Sequence, residues 1–116
     1  MSESLLADLS RAFATSVSEV CEAIKDKSVI ASELLRSSLE MYANIRCSAS
    51  SYNMNDFIST LKLALKGYHE TELLLLLLPK GIVLTNEQYV RLNSECAKIG
   101  KLLESSIESA IERAKK

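Results

Sequence analysis

The chain has 116 residues, 47% of them hydrophobic, and a formal net charge of -1. This length suffices for one domain with its own hydrophobic core, without metals or disulfides to hold it together. The charge argues against a generic nucleic-acid binder, which carries a basic surplus, and the scarcity of glycine (3) and proline (1) indicates long helices with short connections.

The first predicted helix covers residues 4–26. Ser2 or Ser4 is suited to cap its N-terminus, where Glu3 is also favourable. A polar break follows at 25–28. Its apolar residues recur every three or four positions, as on one face of an amphipathic helix, and they are Leu5, Leu6, Leu9, Phe13, Val17, Val20 and Ile24.

The second predicted helix begins at Val29 or Ser32 and ends at about Ser51. Arg36 and Glu40 lie four residues apart and are placed to pair on its surface. The same spacing rule predicts its core face, which consists of Leu35, Leu39, Tyr42, Ile45 and Ala49, widened at the start by Val29, Ile30 and Leu34.

The third predicted helix covers residues 56–78 and ends in six consecutive leucines. Asn53 or Asn55 is a suitable N-cap, and Pro79 and Gly81 are typical of a helix end followed by a turn. We place Ala64 at the centre of the core face and advance about 100° per residue. The core side then holds Phe57, Leu61, Tyr68, Leu75 and Leu78, and the opposite side holds Asn55, Ser59, Lys62, Lys66 and His69.

Two of the leucines, Leu73 and Leu77, continue the polar line opposite the core, with Leu74 and Leu76 beside them. In a monomer they would form a contiguous apolar patch in water, and monomers seldom expose such patches. The sequence therefore predicts that Leu73 and Leu77 pack against a neighbouring subunit.

The fourth predicted helix opens at Thr85, which forms a capping box with Gln88. Glu87 and Arg91 are spaced to pair. The core stripe consists of Tyr89, Leu92, Cys96, Ile99, Leu103, Ile107 and Ala110, broadened by Leu102 and Ile111. Four such helices with short connections predict an all-α fold, an antiparallel up-down-up-down four-helix bundle in a single domain over 1–116.

The three cysteines lie far apart, with no CxxC motif and no Cys/His cluster. We therefore expect reduced thiols, no metal site and no cofactor. Residues 1–11 lack the basic and apolar regions of a secretory signal, and six leucines are too few to span a bilayer. These features predict a cytoplasmic protein without a membrane segment.

Three blocks of the sequence, in their order and spacing, resemble a known family. They are LLRSSL at 34–39 with ANI at 43–45; DFI at 56–58 with LKLAL at 61–65 and ETE at 70–72; and, more weakly, LTNEQY at 84–89 with IGKLL at 99–103. The family is that of the bacterial rRNA-intervening-sequence proteins, and the resemblance covers the chain from about Ser32 to the C-terminus.

The resemblance implies a four-helix bundle that assembles into a homo-oligomer, typically a pentamer. It also implies a relation to the accessory proteins of diversity-generating retroelements, which work beside a reverse transcriptase and its RNA. It does not imply an enzyme, and nucleic-acid binding is the usual conjecture for this family.

The remaining polar candidates each have a second interpretation. Glu70 and Glu72 could serve acid–base or metal chemistry, but the Glu-x-x-His motifs of bundle di-metal sites are missing, so we expect a structural or an interface role. Arg36 and Asn44 fit either a polar specificity element at a subunit contact or a solvated helix face. His69 has no ligand or base partner at suitable spacing and is expected at the surface.

Five cations could contact phosphates if they converge, although Glu95, Glu104 and Glu108 interrupt any basic patch; they are Arg46, Lys62, Lys66, Lys98 and Lys101. The leading interpretation is a non-enzymatic homo-oligomeric interaction or scaffold protein. One alternative is an RNA- or DNA-binding accessory protein, associated with an rRNA insertion or a reverse transcriptase. Another is an enzyme whose site is built between subunits.

Overall fold

The computed structural model describes residues 2–23, 29–78 and 84–116, which contain four α-helices and no strand. The helices are α1 (Ser2–Ala23), α2 (Val29–Ser48), α3 (Met54–Leu77) and α4 (Asn86–Ala114). Both α2 and α4 pack against α1 and against α3, so that the helices enclose one core in an elongated molecule of 51 × 20 × 20 Å. The predicted all-α four-helix bundle is confirmed.

The predicted N-caps of the last two helices are also confirmed. The Asn53 side chain accepts a hydrogen bond from the Asp56 backbone N–H at 2.8 Å, which selects Asn53 over Asn55. Thr85 and Gln88 form the reciprocal capping box, with distances of 2.9 and 3.1 Å. Several predicted features lie outside the described residues: the side chains at 2–4, the stripe residue Ile24, the break at 25–28 and the turn at 79–81.

The core faces of α1, α3 and α4 follow the predicted spacing. One prediction for α1 is wrong, because Leu5 is 50% exposed while its neighbour Leu6 is buried. Leu5 lies at the edge of the apolar stripe, where the helix turns it away from α2 and α4. The whole predicted stripe of α4, from Tyr89 to Ala110, is buried, as are Leu61, Ala64, Tyr68, Leu75 and Leu78 of α3.

The predicted core face of α2 is rotated from the observed one. Leu39 is 48% exposed and Val29 77%, and Ala49 is exposed just beyond the helix end at Ser48. The buried face consists of Ala31, Leu34, Ser37, Ser38, Met41, Ile45 and Ser48.

Buried serines explain the rotation of α2. Ser37, Ser38 and Ser48 each donate a hydrogen bond to the backbone carbonyl three residues earlier, at 3.1, 2.9 and 2.6 Å. The free-energy cost of burying a hydroxyl is small when it has such a hydrogen-bond partner. α2 and α3 also approach closely where Gly67 faces Met41, since a Cβ placed on Gly67 would lie 3.3 Å from Cβ of Met41.

Candidate functional site

The leucine run divides between the core and the surface. Leu75 and Leu78 are buried and Leu74 is half-buried against the core. Leu73, Leu76 and Leu77 are 58%, 64% and 55% exposed. We call these three side chains the leucine face. The predicted exposure of Leu73 and Leu77 in the single chain is confirmed, as is that of Leu76 beside them, whereas Leu74 packs partly against the core. The contact of these leucines with a neighbouring subunit stays a prediction.

Helix geometry produces this division. Leucine is a good helix former, so α3 continues through the run until Leu78, whose backbone N–H closes the last turn on the Leu74 carbonyl at 3.2 Å. Consecutive leucines are about 100° apart and therefore point in every direction around the helix. The neighbouring helices cover one side of α3, and the leucine face is left on the other.

A charged cluster lies beside this face, at the contact of α2 with α3. The Arg36 guanidinium binds Glu33 through Nη2 at 3.1 Å, Glu40 through Nη1 at 2.9 Å, and Glu70 of α3 through Nη2. We call these four side chains the Arg36 cluster. The hydrogen bonds with the three carboxylates raise the pKa of Arg36, so it remains a cation at any ordinary pH. The predicted Arg36–Glu40 pair is confirmed.

The Arg36 cluster borders a cavity of about 320 Å³, which brings together three of the predicted interface residues: Arg36, Asn44 and Glu70. Leu63, Lys66 and Gly67 complete its lining with Glu40. Sequence reasoning missed Glu33 and Leu63. The spacing of Glu33 to Arg36 could have revealed the first, but the exposure of Leu63 depends on how α3 is turned against α2.

Glu72 does not join this group. It accepts a hydrogen bond at 2.9 Å from the hydroxyl of Tyr68, one turn earlier on α3. Burial, together with the hydrogen bond to Glu72, raises the pKa of Tyr68 to about 12. Glu72 therefore stabilises a buried phenol, and the pairing of Glu70 with Glu72 that acid–base chemistry would need is not formed.

The five candidate nucleic-acid contacts are all exposed, on three different helices. Arg46 lies on α2, Lys62 and Lys66 on α3, and Lys98 and Lys101 on α4. Lys66 shares its cavity with Glu40 and Glu70. Lys98 lies along one surface of α4 with Glu87 and Glu95. At these two positions, therefore, carboxylates accompany the cations.

The ion pair on this surface of α4 differs from the predicted one. Arg91 pairs with Glu95 at 3.5 Å, so the predicted pairing with Glu87 is wrong. Glu95 is half-buried whereas Glu87 is exposed, and a less hydrated carboxylate gains more from a cation.

The reactive side chains are dispersed. His69 is exposed, with its ring 5.0 Å from that of Tyr68. Within 2–23, 29–78 and 84–116, no three His, Cys, Asp or Glu side chains are grouped to hold a metal ion. Cys96 is buried, and that burial raises the pKa of its thiol to about 12; Cys47 is exposed. The most distinctive surface feature is thus one suited to binding: an apolar face beside a charged cluster.

Comparisons with known proteins agree on the fold and the family. A family model described as 23S rRNA-intervening sequence protein matches residues 3–105, so the match includes α1, which the sequence blocks did not cover. A crystal structure from Bacteroides thetaiotaomicron, described as a protein with unknown function from the S23 ribosomal protein family, is 33% identical. It superposes with a TM-score of 0.85, over 93% of this chain and 99% of that one. None of the curated proteins matches the chain significantly. No helix among the described residues has both the length and the apolarity needed to cross a membrane.

Proposed function

The chain belongs to the 23S rRNA-intervening sequence protein family, and from that premise we propose that it acts as a non-enzymatic scaffold that assembles into a homo-oligomer. The observation that carries the proposal is the leucine face. Leu73, Leu76 and Leu77 are each more than half exposed, although the core closes without them. Apolar patches of this kind mark interaction sites, and a second copy is the partner that is always present.

The energetics favour assembly through a repeated contact. Burying one leucine side chain contributes about 1.5–3 kcal/mol. Association costs about 4–15 kcal/mol in lost translational and rotational freedom, so a few leucines on one contact give only modest affinity. A closed ring repeats the contact at every interface, and the pentamer implied by the family resemblance is such a ring. We propose a cytoplasmic pentamer, with the polar half of α3 at its rim or lumen.

The arrangement of the helices that we propose is antiparallel, up-down-up-down. Side-chain contacts support it. Ser37 of α2 contacts Thr71 of α3 at 2.8 Å, and Met41 lies against Gly67, so that positions later in α2 meet positions earlier in α3. This order is that of two antiparallel neighbours joined by a short connection.

The double substitution Leu73→Glu, Leu77→Glu tests the proposal. It places charges on the leucine face, where both side chains are exposed, so the helical circular dichroism should be retained while light scattering reports a smaller species. The matched control is Asn55→Glu, Ser59→Glu, which adds the same charges to exposed positions in the polar half of α3 and should keep the wild-type mass. A wild type that is monomeric at micromolar concentration, or a Leu73/Leu77 variant of unchanged mass, would contradict the proposal.

A second candidate function is contact with RNA. It is favoured by the family's description, which refers to 23S rRNA, and by exposed cations such as Lys62 and Lys101. As an accessory to a reverse transcriptase or to an rRNA insertion, the chain would need those cations to engage phosphates.

A further inference from the structure

We infer that the leucine face of one subunit docks into an apolar groove between α1 and α2 of the next, so that the contact between copies is heterologous. This inference rests on the proposed self-association and names the surface that the leucine face meets. A second copy of this chain is the occupant.

The groove is a cavity of about 250 Å³ with mostly apolar walls. Leu39, which pattern analysis places in the core, is 48% exposed at its edge, and Tyr42 is half-buried beside it. We call it the α1–α2 groove; it is lined by Arg11, Ala14, Thr15, Ser18, Leu39 and Tyr42. A monomer would thus expose two separate apolar surfaces to water.

The two apolar surfaces lie on different sides of the molecule. Leu39 and Tyr42 line the cavity that α2 shares with α1, whereas Arg36 and Asn44 line the cavity that α2 shares with α3. The outer surface of α2 therefore separates the groove from the leucine face. A two-fold contact of the leucine face with itself would leave the groove uncovered, whereas one contact of face with groove covers both.

Shape also favours this pairing. The leucine face consists of side chains that project from a single helix, whereas the groove is a hollow between two helices. A row of side chains that enters a hollow between two helices can reach the close packing found at stable interfaces.

The charges beside the two surfaces are complementary. Arg11, on the groove, forms no ion pair within the described part of the chain. The Arg36 cluster holds three carboxylates and one guanidinium, and remains acidic even when Lys66 beside it is counted. Glu70 of this cluster lies one turn before Leu73 on α3. Docking the leucine face in the groove would bring these acids toward Arg11, and opposite charges at a rim favour the correct partner.

The test uses two variants of the full chain and their mixture. The face variant is Leu73→Glu, Leu77→Glu. The groove variant is Thr15→Glu, Leu39→Glu, at two exposed positions of the groove. Each variant alone should be monomeric by light scattering, with wild-type circular dichroism. An equimolar mixture should form a dimer, because one intact face and one intact groove remain. Since a single contact has only modest affinity, the mixture is measured at about 1 mM, well above the concentration at which the closed wild-type ring assembles.

The other possible results contradict either this inference or the proposed function, and they distinguish the two. A groove variant of wild-type mass, beside a monomeric face variant, would overturn this inference and leave the proposed scaffold standing. A mixture that stays monomeric even at that high concentration would also overturn it, and a monomeric wild type would remove the proposed function itself. Arg11→Glu is a second, milder variant. Its assembly constant should be several-fold weaker than that of the wild type at low salt, with a smaller difference at high salt. An unchanged assembly constant would contradict the role given to Arg11.

Discussion

The phenol ring of Tyr68 occupies the space that a side chain at position 100 would need. A Cβ placed on Gly100 would lie 2.3 Å from Cζ of Tyr68 and 2.7 Å from its hydroxyl oxygen. Glycine in the middle of a helix costs about 0.5–1 kcal/mol relative to alanine. Here it is required, because α3 and α4 approach each other at this point and Tyr68 fills the contact.

Substituting Gly100 should therefore destabilise the fold. Gly100→Ala forces Tyr68 out of position, and overpacking of this kind lowers the free energy of unfolding by about 1–3 kcal/mol. In a Tyr68→Ala background the clash is removed, so the same substitution should be neutral or slightly stabilising. Urea denaturation followed by circular dichroism gives all four values of the cycle. An equal loss in both backgrounds would show that Tyr68 is not the obstacle.

A buried pair of hydroxyls joins α2 to α3. A second prediction follows from this pair. Ser37 Oγ and Thr71 Oγ1 lie 2.8 Å apart, and each also contacts a backbone carbonyl, of Leu34 at 3.1 Å and of Gly67 at 2.7 Å. Ser37→Ala and Thr71→Val should each lower the free energy of unfolding by about 1 kcal/mol. The double variant should lose clearly less than their sum, because both single changes remove the same bond. Strict additivity in urea denaturation would argue against the pair.

Ser106 offers a stabilising substitution. Its hydroxyl oxygen is buried and has no hydrogen-bond partner among the described residues. Ser106→Ala removes that cost and improves helix propensity, so thermal denaturation should show a gain of about 1 kcal/mol. The neighbouring Ser105 is exposed, and Ser105→Ala should gain only the smaller propensity term. If Ser106→Ala were destabilising, the hydroxyl must have a partner.

How far the sequence predicts this fold differs between helices. In α4 the hydrophobic stripe is strong: its seven positions from Tyr89 to Ala110 are all buried, and Leu102, which broadens the stripe, is half-buried. In α2 the stripe competes with serines, which hydropathy counts as polar. Ser37 and Ser38 are buried because their hydroxyls are satisfied within their own helix, and no periodicity of apolar residues reveals that.

The candidate site shows the same limit. Rotation by 100° per residue places Leu73 and Leu77 opposite the core, and they are exposed. The Arg36–Glu70 pair joins residues 34 positions apart, so it depends on how α2 and α3 are set against each other. The α1–α2 groove cannot be foreseen from the sequence, because the apolar spacing of α2 places Leu39 in the core. The face of a helix on which a residue lies can be predicted from its spacing in one sequence. Contacts between helices can be identified only in the packed structure.

The buried thiol of Cys96 predicts a loss of stability in alkali. Burial, followed by the charge of Glu72, raises its pKa from 9.0 to about 12. The folded state then keeps the proton while the unfolded state releases it. The stabilisation is complete below pH 9 and is lost as the pH rises toward 12, by up to about 1.4 kcal/mol per pH unit.

Urea denaturation at intervals between pH 7 and 10 checks this. Below pH 10 the Tyr68 phenol, whose pKa rises from 10.0 to about 12, adds little. Burial also raises the pKa of the Cys21 thiol, which acts in the same direction and is present in every variant. Cys96→Ala should flatten the decline above pH 9, whereas Cys47→Ala, at an exposed position, should leave it unchanged. A decline as steep in Cys96→Ala as in the wild type would assign it to other groups.

The surface charges predict that RNA is bound weakly. Affinity for phosphates grows with the number of cations engaged and falls linearly with salt on logarithmic axes. The chain has a net charge of -1, and acids accompany Lys66 and Lys98. Fluorescence anisotropy with a structured RNA should therefore give a dissociation constant weaker than about 10 µM near physiological salt, with only a shallow dependence on salt. Two substitutions form a matched pair. Lys62→Glu should change the dissociation constant little. Glu40→Lys makes the cavity beside the Arg36 cluster basic and should tighten binding at low salt. Submicromolar binding by the wild type, abolished by Lys62→Glu, would instead make RNA contact the primary role of this surface.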